Sequence, residues 1–259
     1  MRKTLQISNA LALIMTLVVN YVSNTGALNG NTMKTVSDSY FNYFTPAGYA
    51  FSIWGLIYIG LIGFVVYSGR SLFKKDDDDQ IVLEIGWWFV ISCIGNSLWV
   101  ISWLYLYTGI CVVLMVVVLF SLLKIILNTR MELDVHPLKR YILIYWPFAI
   151  YAGWISVALI ANIAAYLTKI NWDGWGISAT NWTIIMIAIA GAINVFMILT
   201  RNLREYALVG IWALIAIAVS NKSNGAEPIV YSSYIVASIV TVFIVISAYK
   251  NRRSSIASM

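Results

Sequence analysis

The sequence has few charged residues and almost none of the side chains that carry acid–base or metal chemistry. Charged residues make up 11% of the 259, against roughly 25% in soluble domains, so the chain cannot coat a surface that faces water. It contains one histidine, His136, and two cysteines, Cys93 and Cys111, without a metal-binding or disulfide spacing. No acidic residue lies in the middle of an apolar run. These absences argue against a Ser/His/Asp triad, haem ligation by histidine, metal catalysis and proton transfer through a buried carboxylate.

Long apolar runs make up most of the chain instead. Hydrophobic residues reach 61% and the mean hydropathy is +0.81. A helix needs about 20 apolar residues to cross roughly 30 Å of hydrocarbon. The runs therefore predict an all-α integral membrane protein with about eight transmembrane helices, the first of them retained rather than cleaved as a signal peptide. They lie at about residues 6–23, 49–69, 85–106, 109–128, 141–166, 181–200, 205–220 and 229–249.

The lysines and arginines between these runs divide unevenly between alternate loops. All but three of the 17 fall at the termini and in one set of loops, whereas the other set holds only Lys34, Lys169 and Lys222. By the positive-inside rule this predicts that both termini are cytoplasmic, and it suits a bacterial inner or plasma membrane. Cations that flank spans set orientation and contact anionic lipid, so the net charge of +6 does not indicate nucleic-acid binding.

Two loops differ from simple connections. The outer loop before the second span, about residues 23–48, is the longest, and we expect a short interfacial helix at about 36–44. A loop this long is often functional. The inner loop after the second span contains four adjacent aspartates at 76–79. We interpret them as a solvated turn, with a divalent-cation site as the alternative.

Seven of the 11 tryptophans precede residue 168, in the second, third and fifth spans. Those near span ends are typical of the aromatic belt at a membrane interface. Trp54, Trp99 and Trp154 lie deeper, where the belt explains them less well. Aromatic rings with a few amides and hydroxyls suit a pocket for a flat apolar molecule. The alternative is that these rings only fill a core between helices.

Three motifs in order resemble the TspO/MBR family of tryptophan-rich sensory and translocator proteins. They read IWGLIY at 53–58 behind Pro46, GNSLWVISW at 95–103 and IYAGWISVALIAN at 150–162. The resemblance covers roughly residues 1–168 and implies a five-helix unit with an internal pocket under the first loop. The sequence departs from the family in having one proline before the second span and in the position of Pro147. The three later spans, residues 169–259 with a basic tail, are predicted to be a second unit that the family does not explain.

The resemblance also implies the ligand and its contacts. The ligand would be a tetrapyrrole such as a porphyrin, or in some members a sterol, although the sterol-recognition segment around Tyr166 is incomplete here. A proposed light-dependent breakdown of porphyrin in the family would correspond to Trp54 and Trp154. We predict no catalytic residue, no metal ligand and no cofactor other than such a tetrapyrrole ligand. The predicted ligand-binding residues are Phe51, Trp54, Tyr58, Asn96, Trp99, Tyr151, Trp154, Ser156 and Asn162. The spacing of Phe51, Trp54 and Tyr58 predicts one common helix face, and we expect Trp54 and Trp154 to face each other across the cavity.

The sequence thus predicts a membrane binding or sensory protein for a planar hydrophobic ligand. The alternatives are a transporter or exporter of a small hydrophobic solute, and a membrane assembly protein whose last three spans dock a partner. Predicted partners are the lipid bilayer, a hydrophobic small molecule such as porphyrin and a second copy in a homodimer. Because all predicted contacts precede residue 169, a chain that ends near Lys169 should still bind ligand, and Trp212→Phe should leave affinity unchanged.

Overall fold

The computed structural model describes residues 1–73 and 80–257, and within them the regular structure is helical, without a β-strand. The aspartates at 76–79, and the alternative of a cation site there, lie outside the described residues. A π-helical turn, Tyr141–Tyr145, leads into the longest buried helix, and a 3-10 turn, Gly48–Ser52, precedes the second span. The helices are α1 (Arg2–Val22), α2 (Met33–Ser39), α3 (Ile53–Gly69), α4 (Gln80–Ile85), α5 (Trp88–Leu104), α6 (Thr108–Asn128), α7 (Leu138–Arg140), α8 (Trp146–Lys169), α9 (Ala179–Arg201), α10 (Arg204–Lys222) and α11 (Glu227–Ala257).

Seven helical stretches within the described ranges are long and apolar enough to cross a membrane. The remaining predicted span corresponds to α5, an apolar helix of 17 residues. The chain is therefore an all-helical, multi-pass membrane protein, as the hydropathy pattern predicted. The seven stretches are Arg2–Val22, Gly48–Leu72, Thr108–Asn128, Leu138–Lys169, Ala179–Arg201, Arg204–Lys222 and Glu227–Lys250.

Polar side chains define where several helices begin and end. Thr32 and Thr35 form a reciprocal capping box at the start of α2. The short helix of the first loop therefore begins and ends earlier than the expected 36–44. The side chain of Ser178 accepts a hydrogen bond from the backbone N–H of Asn181 and so caps α9. Asn202 then ends α9 in the left-handed conformation, with φ of 56°, which asparagine tolerates better than most residues. Because Asn202 ends α9 abruptly, α10 can turn back along α9.

Hydrogen bonds between loops define one end of the bundle, which we call the cavity end. The amides of Asn29 and Asn31 both donate to the carbonyl oxygen of Leu104, at 3.0 and 2.9 Å. Asn221, at the end of α10, donates to the carbonyl oxygen of Tyr43 at 2.8 Å. The loops that meet here are those that the charge pattern assigned to the outer side.

The opposite, basic end contains the loops that carry most of the lysines and arginines. The guanidinium of Arg140 lies 3.2 Å from a carboxylate oxygen of Glu84, and Asn128 donates to the Glu84 carbonyl oxygen at 3.1 Å. The hydroxyl of Ser247 of α11 donates to the Oδ1 of Asn202 at 2.6 Å. The loops therefore alternate between the two ends in the order that the charge pattern predicted.

The central helix is α8, whose span is 67% buried, against 22% for the span that contains α3. It packs against α3 and α6 on one side and α10 on the other. At the α10 contact Gly153 has no side chain, and a Cβ there would lie 2.6 Å from the carbonyl oxygen of Tyr206. Small residues permit such close approach between membrane helices. The predicted division after residue 168 therefore passes between two helices in direct contact, while their independence stays a prediction.

Candidate functional site

A cavity of about 610 Å³ lies at the cavity end, between α1, α3, α5, α8 and the first loop. Its deep part is aromatic and its outer part is polar. Pockets of roughly 300–1,000 Å³ hold drug-sized ligands in other proteins. The lining consists of Leu17, Asn20, Tyr21, Ser23, Asn24, Met33, Lys34, Ser37, Asp38, Tyr40, Asn42, Thr45, Pro46, Gly48, Phe51, Trp54, Tyr58, Trp99, Trp103, Trp154, Val157, Ala158, Ala161, Asn162 and Ala165.

Trp54 is the centre of the aromatic wall. Its ring stacks on Tyr58 with centroids 5.5 Å apart and on Trp99 with centroids 6.2 Å apart. The ring of Trp154 meets it edge-on at 6.5 Å. Trp54 and Trp154 had been expected to face each other across the cavity. They instead form adjacent parts of one wall, which leaves the opposite side to α1 and the first loop.

The second span presents its aromatic residues on one helix face, as their spacing predicted. Phe51, Trp54 and Tyr58 are separated by three and four positions, so they project in the same direction. All three line the cavity. The Phe51 ring also contacts Trp154 edge-on at 5.8 Å. This face of α3 therefore joins the aromatic residues of α5 and α8 into a continuous surface.

Asn162 fixes the orientation of one of these rings. Its Oδ1 accepts a hydrogen bond of 2.9 Å from the indole N–H of Trp99. Its Nδ2 donates to the carbonyl oxygen of Ala158, one turn earlier on α8, at 2.9 Å. Because both polar ends of the amide are engaged, the side chain has a single rotamer that satisfies them. Asn162 therefore positions the Trp99 ring and also lines the cavity.

Asn96 is fully buried behind the wall and does not line the cavity. Its Oδ1 accepts a 2.9 Å hydrogen bond from Asn20, a cavity-lining residue of α1 that the sequence analysis did not identify. The Tyr58 hydroxyl and the Trp154 indole N–H are also buried and have no hydrogen-bond partner among the described residues. Buried polar groups usually have partners, so two residues of the cavity lining carry unsatisfied polar atoms.

Tyr151 and Ser156 also lie outside the lining, in two different directions. Tyr151 is buried beneath Trp54, with ring centroids 5.8 Å apart, and supports that ring from the core. Ser156 points towards α10, where its hydroxyl lies 2.5 Å from the hydroxyl of Tyr206. Its position two residues after Trp154 places it on another side of the helix. Ser156 therefore joins two helices, whereas the resemblance had implied a pocket residue.

The outer rim of the cavity is polar and comes largely from the first loop. Lys34 and Asp38 form an exposed i,i+4 ion pair on α2, and both line the cavity. Exposed pairs of this kind contribute little to stability. Trp103, quoted in the third-span motif but not among the predicted contacts, lines the cavity and donates to the carbonyl oxygen of Met33 at 3.3 Å. The length of the first loop was the only sequence signal for this rim.

Comparison with known proteins agrees with the geometry. No significant match to the chain occurs among curated proteins or among solved structures. The profile of the TSPO-like protein family matches residues 6–246. This match extends beyond residue 168, the limit of the resemblance found in the sequence, and takes in α9, α10 and most of α11. A match of this length, together with an all-helical bundle around an aromatic cavity, shows that the chain belongs to the TSPO-like protein family.

Proposed function

We propose that the protein binds a planar hydrophobic ligand of the tetrapyrrole class, such as a porphyrin, in the aromatic cavity and acts as a membrane binding or sensory protein. The observation that carries this proposal is the wall of Trp54, Trp99 and Trp154 in a cavity of about 610 Å³. Flat apolar molecules stack on such rings, and the few polar groups around them fix orientation.

The polar atoms of the site support a ligand with functional groups at two positions. Tyr58 and Trp154 belong to the cavity lining, and the hydroxyl of one and the indole N–H of the other lack a hydrogen-bond partner among the described residues. Lys34 and Asp38 lie at the rim, where a charged substituent stays in water. A porphyrin has ring nitrogens in the centre of an apolar plane and carboxylates at its edge. A sterol, which offers a single hydroxyl and no flat π-system, uses these features less well.

Titration with protoporphyrin, followed through the absorbance of the ligand, tests the proposal. Trp54→Phe and Trp154→Phe retain most of the apolar area but lose part of the stacking surface. An aromatic contact contributes about 0.5–1.5 kcal/mol beyond area burial, so each substitution should weaken binding roughly severalfold. The matched control is Trp88→Phe, because Trp88 packs against Phe120 and is not part of the lining.

If the parent protein shows no saturable change in protoporphyrin absorbance, the ligand class is wrong. If the parent binds and both pocket variants bind with parent affinity, the rings only fill a core. Following the ligand rather than the protein matters here, since each substitution also removes an intrinsic fluorophore. Trp88→Phe should give the same protoporphyrin titration as the parent in either case.

A transporter of a small hydrophobic solute is the alternative, and the buried polar residues of α1 favour it. Gln6, Asn9 and Thr16 are at most 3% exposed and precede Asn20, which reaches the cavity. Both polar atoms of the Asn9 amide lack a hydrogen-bond partner within the described part of the chain. Polar residues inside a membrane are expensive and often mark a solute pathway.

Flux measurements in proteoliposomes distinguish a binding protein from a transporter. We expect the protein to bind protoporphyrin without moving it across the bilayer. Saturable flux of the ligand in liposomes that contain the protein, absent from protein-free liposomes, would establish the transporter instead. Asn9→Leu then serves as the diagnostic variant, because it should reduce flux in a transporter and leave the affinity of a binding protein near that of the parent.

A further inference from the structure

The end of the first loop and the start of the 3-10 turn that follows it, residues 43–50, together have two contact surfaces, and we call this stretch the lid segment. One surface belongs to the cavity, since Thr45, Pro46 and Gly48 all line it. The other surface lies against α10, which contributes no residue to the cavity lining. The lid segment is therefore located between the candidate ligand site and a helix of the C-terminal part.

Three hydrogen bonds hold the lid segment to α10. The backbone N–H of Ala47 donates to the carbonyl oxygen of Ala216 at 3.0 Å. The side chains of Asn221 and Trp212 donate to the carbonyl oxygens of Tyr43, at 2.8 Å, and Ala50, at 3.3 Å. The bonds are distributed along the whole segment and reach both of its ends. The bonds at Tyr43 and Ala47 satisfy backbone groups in the irregular stretch that precedes the 3-10 turn Gly48–Ser52.

An aromatic contact adds to these bonds. The ring of Tyr49 meets Trp212 edge-on, with centroids 5.1 Å apart. Trp212 and Ala216 are four residues apart on α10, so they face the same way. Asn221, near the end of the helix, is 1% exposed and lies five residues after Ala216, so it reaches the segment from another side of α10. The lid segment thus contacts α10 over about ten residues of the helix.

The same helix is fixed to the wall of the cavity at its other end. Tyr206 bonds to Ser156 of α8, and its backbone lies against Gly153. Trp154, between those two α8 residues, forms part of the cavity wall. α10 therefore connects the wall and the lid segment.

We propose that α10 clamps the lid segment and thereby sets the rate at which ligand enters and leaves the cavity, with Trp212 and Asn221 as positioning residues. Release of the clamp frees the lid segment to move outward and carry Thr45, Pro46 and Gly48 away from the cavity, which opens the cavity beside α10. The proposal rests on the proposed function in assuming a ligand in this cavity. It gives the three C-terminal helices a role in ligand exchange, and it replaces the expectation that Trp212→Phe is neutral.

Two measurements on full-length variants test the clamp. Trp212→Leu removes one hydrogen bond and the Tyr49 contact, and Asn221→Leu removes only the bond to Tyr43. Hydrogen exchange of peptides that cover residues 43–50, measured without ligand, should accelerate by about three- to tenfold in each variant, since the protection of these amides reflects local opening. Stopped-flow dissociation of protoporphyrin should accelerate by a similar factor.

Leu208→Ala is the matched control, because Leu208 lies on α10 but is 54% exposed on its lipid-facing side. It should match the parent in both measurements. Exchange at parent rates in both clamp variants overturns the clamp. Faster exchange with unchanged dissociation shows that the lid segment is held by α10 but does not gate the ligand, and so overturns the gating role. A parent protein that binds no protoporphyrin overturns the proposed function, while exchange still decides whether the clamp exists.

Discussion

A chain that ends after Lys169 is expected to insert into the membrane but to lose binding of protoporphyrin. Removal of α9–α11 leaves the Gly153 face of α8 without its partner and Ser156 without the hydroxyl of Tyr206. It also removes all three hydrogen-bond partners that α10 offers to the lid segment. The sequence alone had predicted the opposite, because no candidate contact residue lies beyond 168.

Detergent extraction followed by size-exclusion chromatography and ligand titration measures this effect. The matched control is a chain that ends after Lys250, which retains every predicted span and removes only the end of α11. The control should bind like the parent. A Lys169-terminated chain that stays monodisperse and binds with parent affinity would establish the first five spans as an independent unit, and would contradict any role of α10 at the site.

Gly153→Ala is expected to destabilise the protein strongly for the size of the change. The new Cβ would lie 2.6 Å from the carbonyl oxygen of Tyr206 and 3.2 Å from its carbonyl carbon and Cα. These are backbone atoms, which cannot rotate away as a side chain can, so α8 and α10 must separate. Overpacking of a buried site costs typically about 1–3 kcal/mol, and this contact belongs near the upper end of that range or beyond.

Gly55→Ala provides a control of opposite sign. No atom beyond its own helix lies within 4 Å of a Cβ built at Gly55. Alanine is the better helix former by about 1 kcal/mol, so Gly55→Ala should leave the melting temperature in detergent unchanged or raise it. Gly153→Ala should lower it clearly. Equal melting temperatures for both variants would mean that α8 and α10 do not approach as closely as described.

Features that depend on the local pattern could be predicted from the sequence. Apolar runs predicted the spans, because a helix satisfies its own backbone hydrogen bonds within one segment. The distribution of cations predicted which loops share an end. The spacing of Phe51, Trp54 and Tyr58 predicted a common helix face, and the geometry of α3 agrees. In each case the information lies within about twenty consecutive residues.

The direction of individual side chains on α8 required the assembled bundle. Trp154 and Ser156 were assigned to one pocket through a family motif, although residues two apart on a helix point in different directions. The structure directs Trp154 to the cavity wall and Ser156 to α10. Helix periodicity alone thus indicates that Trp154 and Ser156 do not both face one pocket. It does not say which of the two residues faces the ligand site.

The contribution of α1 and α10 to the candidate site could not be predicted from the sequence, because it depends on contacts between distant parts of the chain. Asn20 lies 76 residues before Asn96, and Trp212 lies 162 residues after Ala50. Neither residue stands in a motif, and both occur in otherwise ordinary apolar helices. No local pattern specifies which of several possible neighbours a membrane helix will select, since lipid and protein surfaces are similarly apolar.

The row of indoles in the cavity wall has an optical consequence. Trp54, Trp99 and Trp103 follow one another with centroids 6.2 and 6.5 Å apart and planes inclined by 26° and 31°. Chromophores this close share electronic excitation, so their near-ultraviolet transitions couple and acquire circular dichroism that isolated tryptophans lack. The sign and strength of that signal depend on the angles between the rings. The unlabelled protein therefore carries a spectroscopic reporter of its own cavity, sensitive to rotations of a single indole.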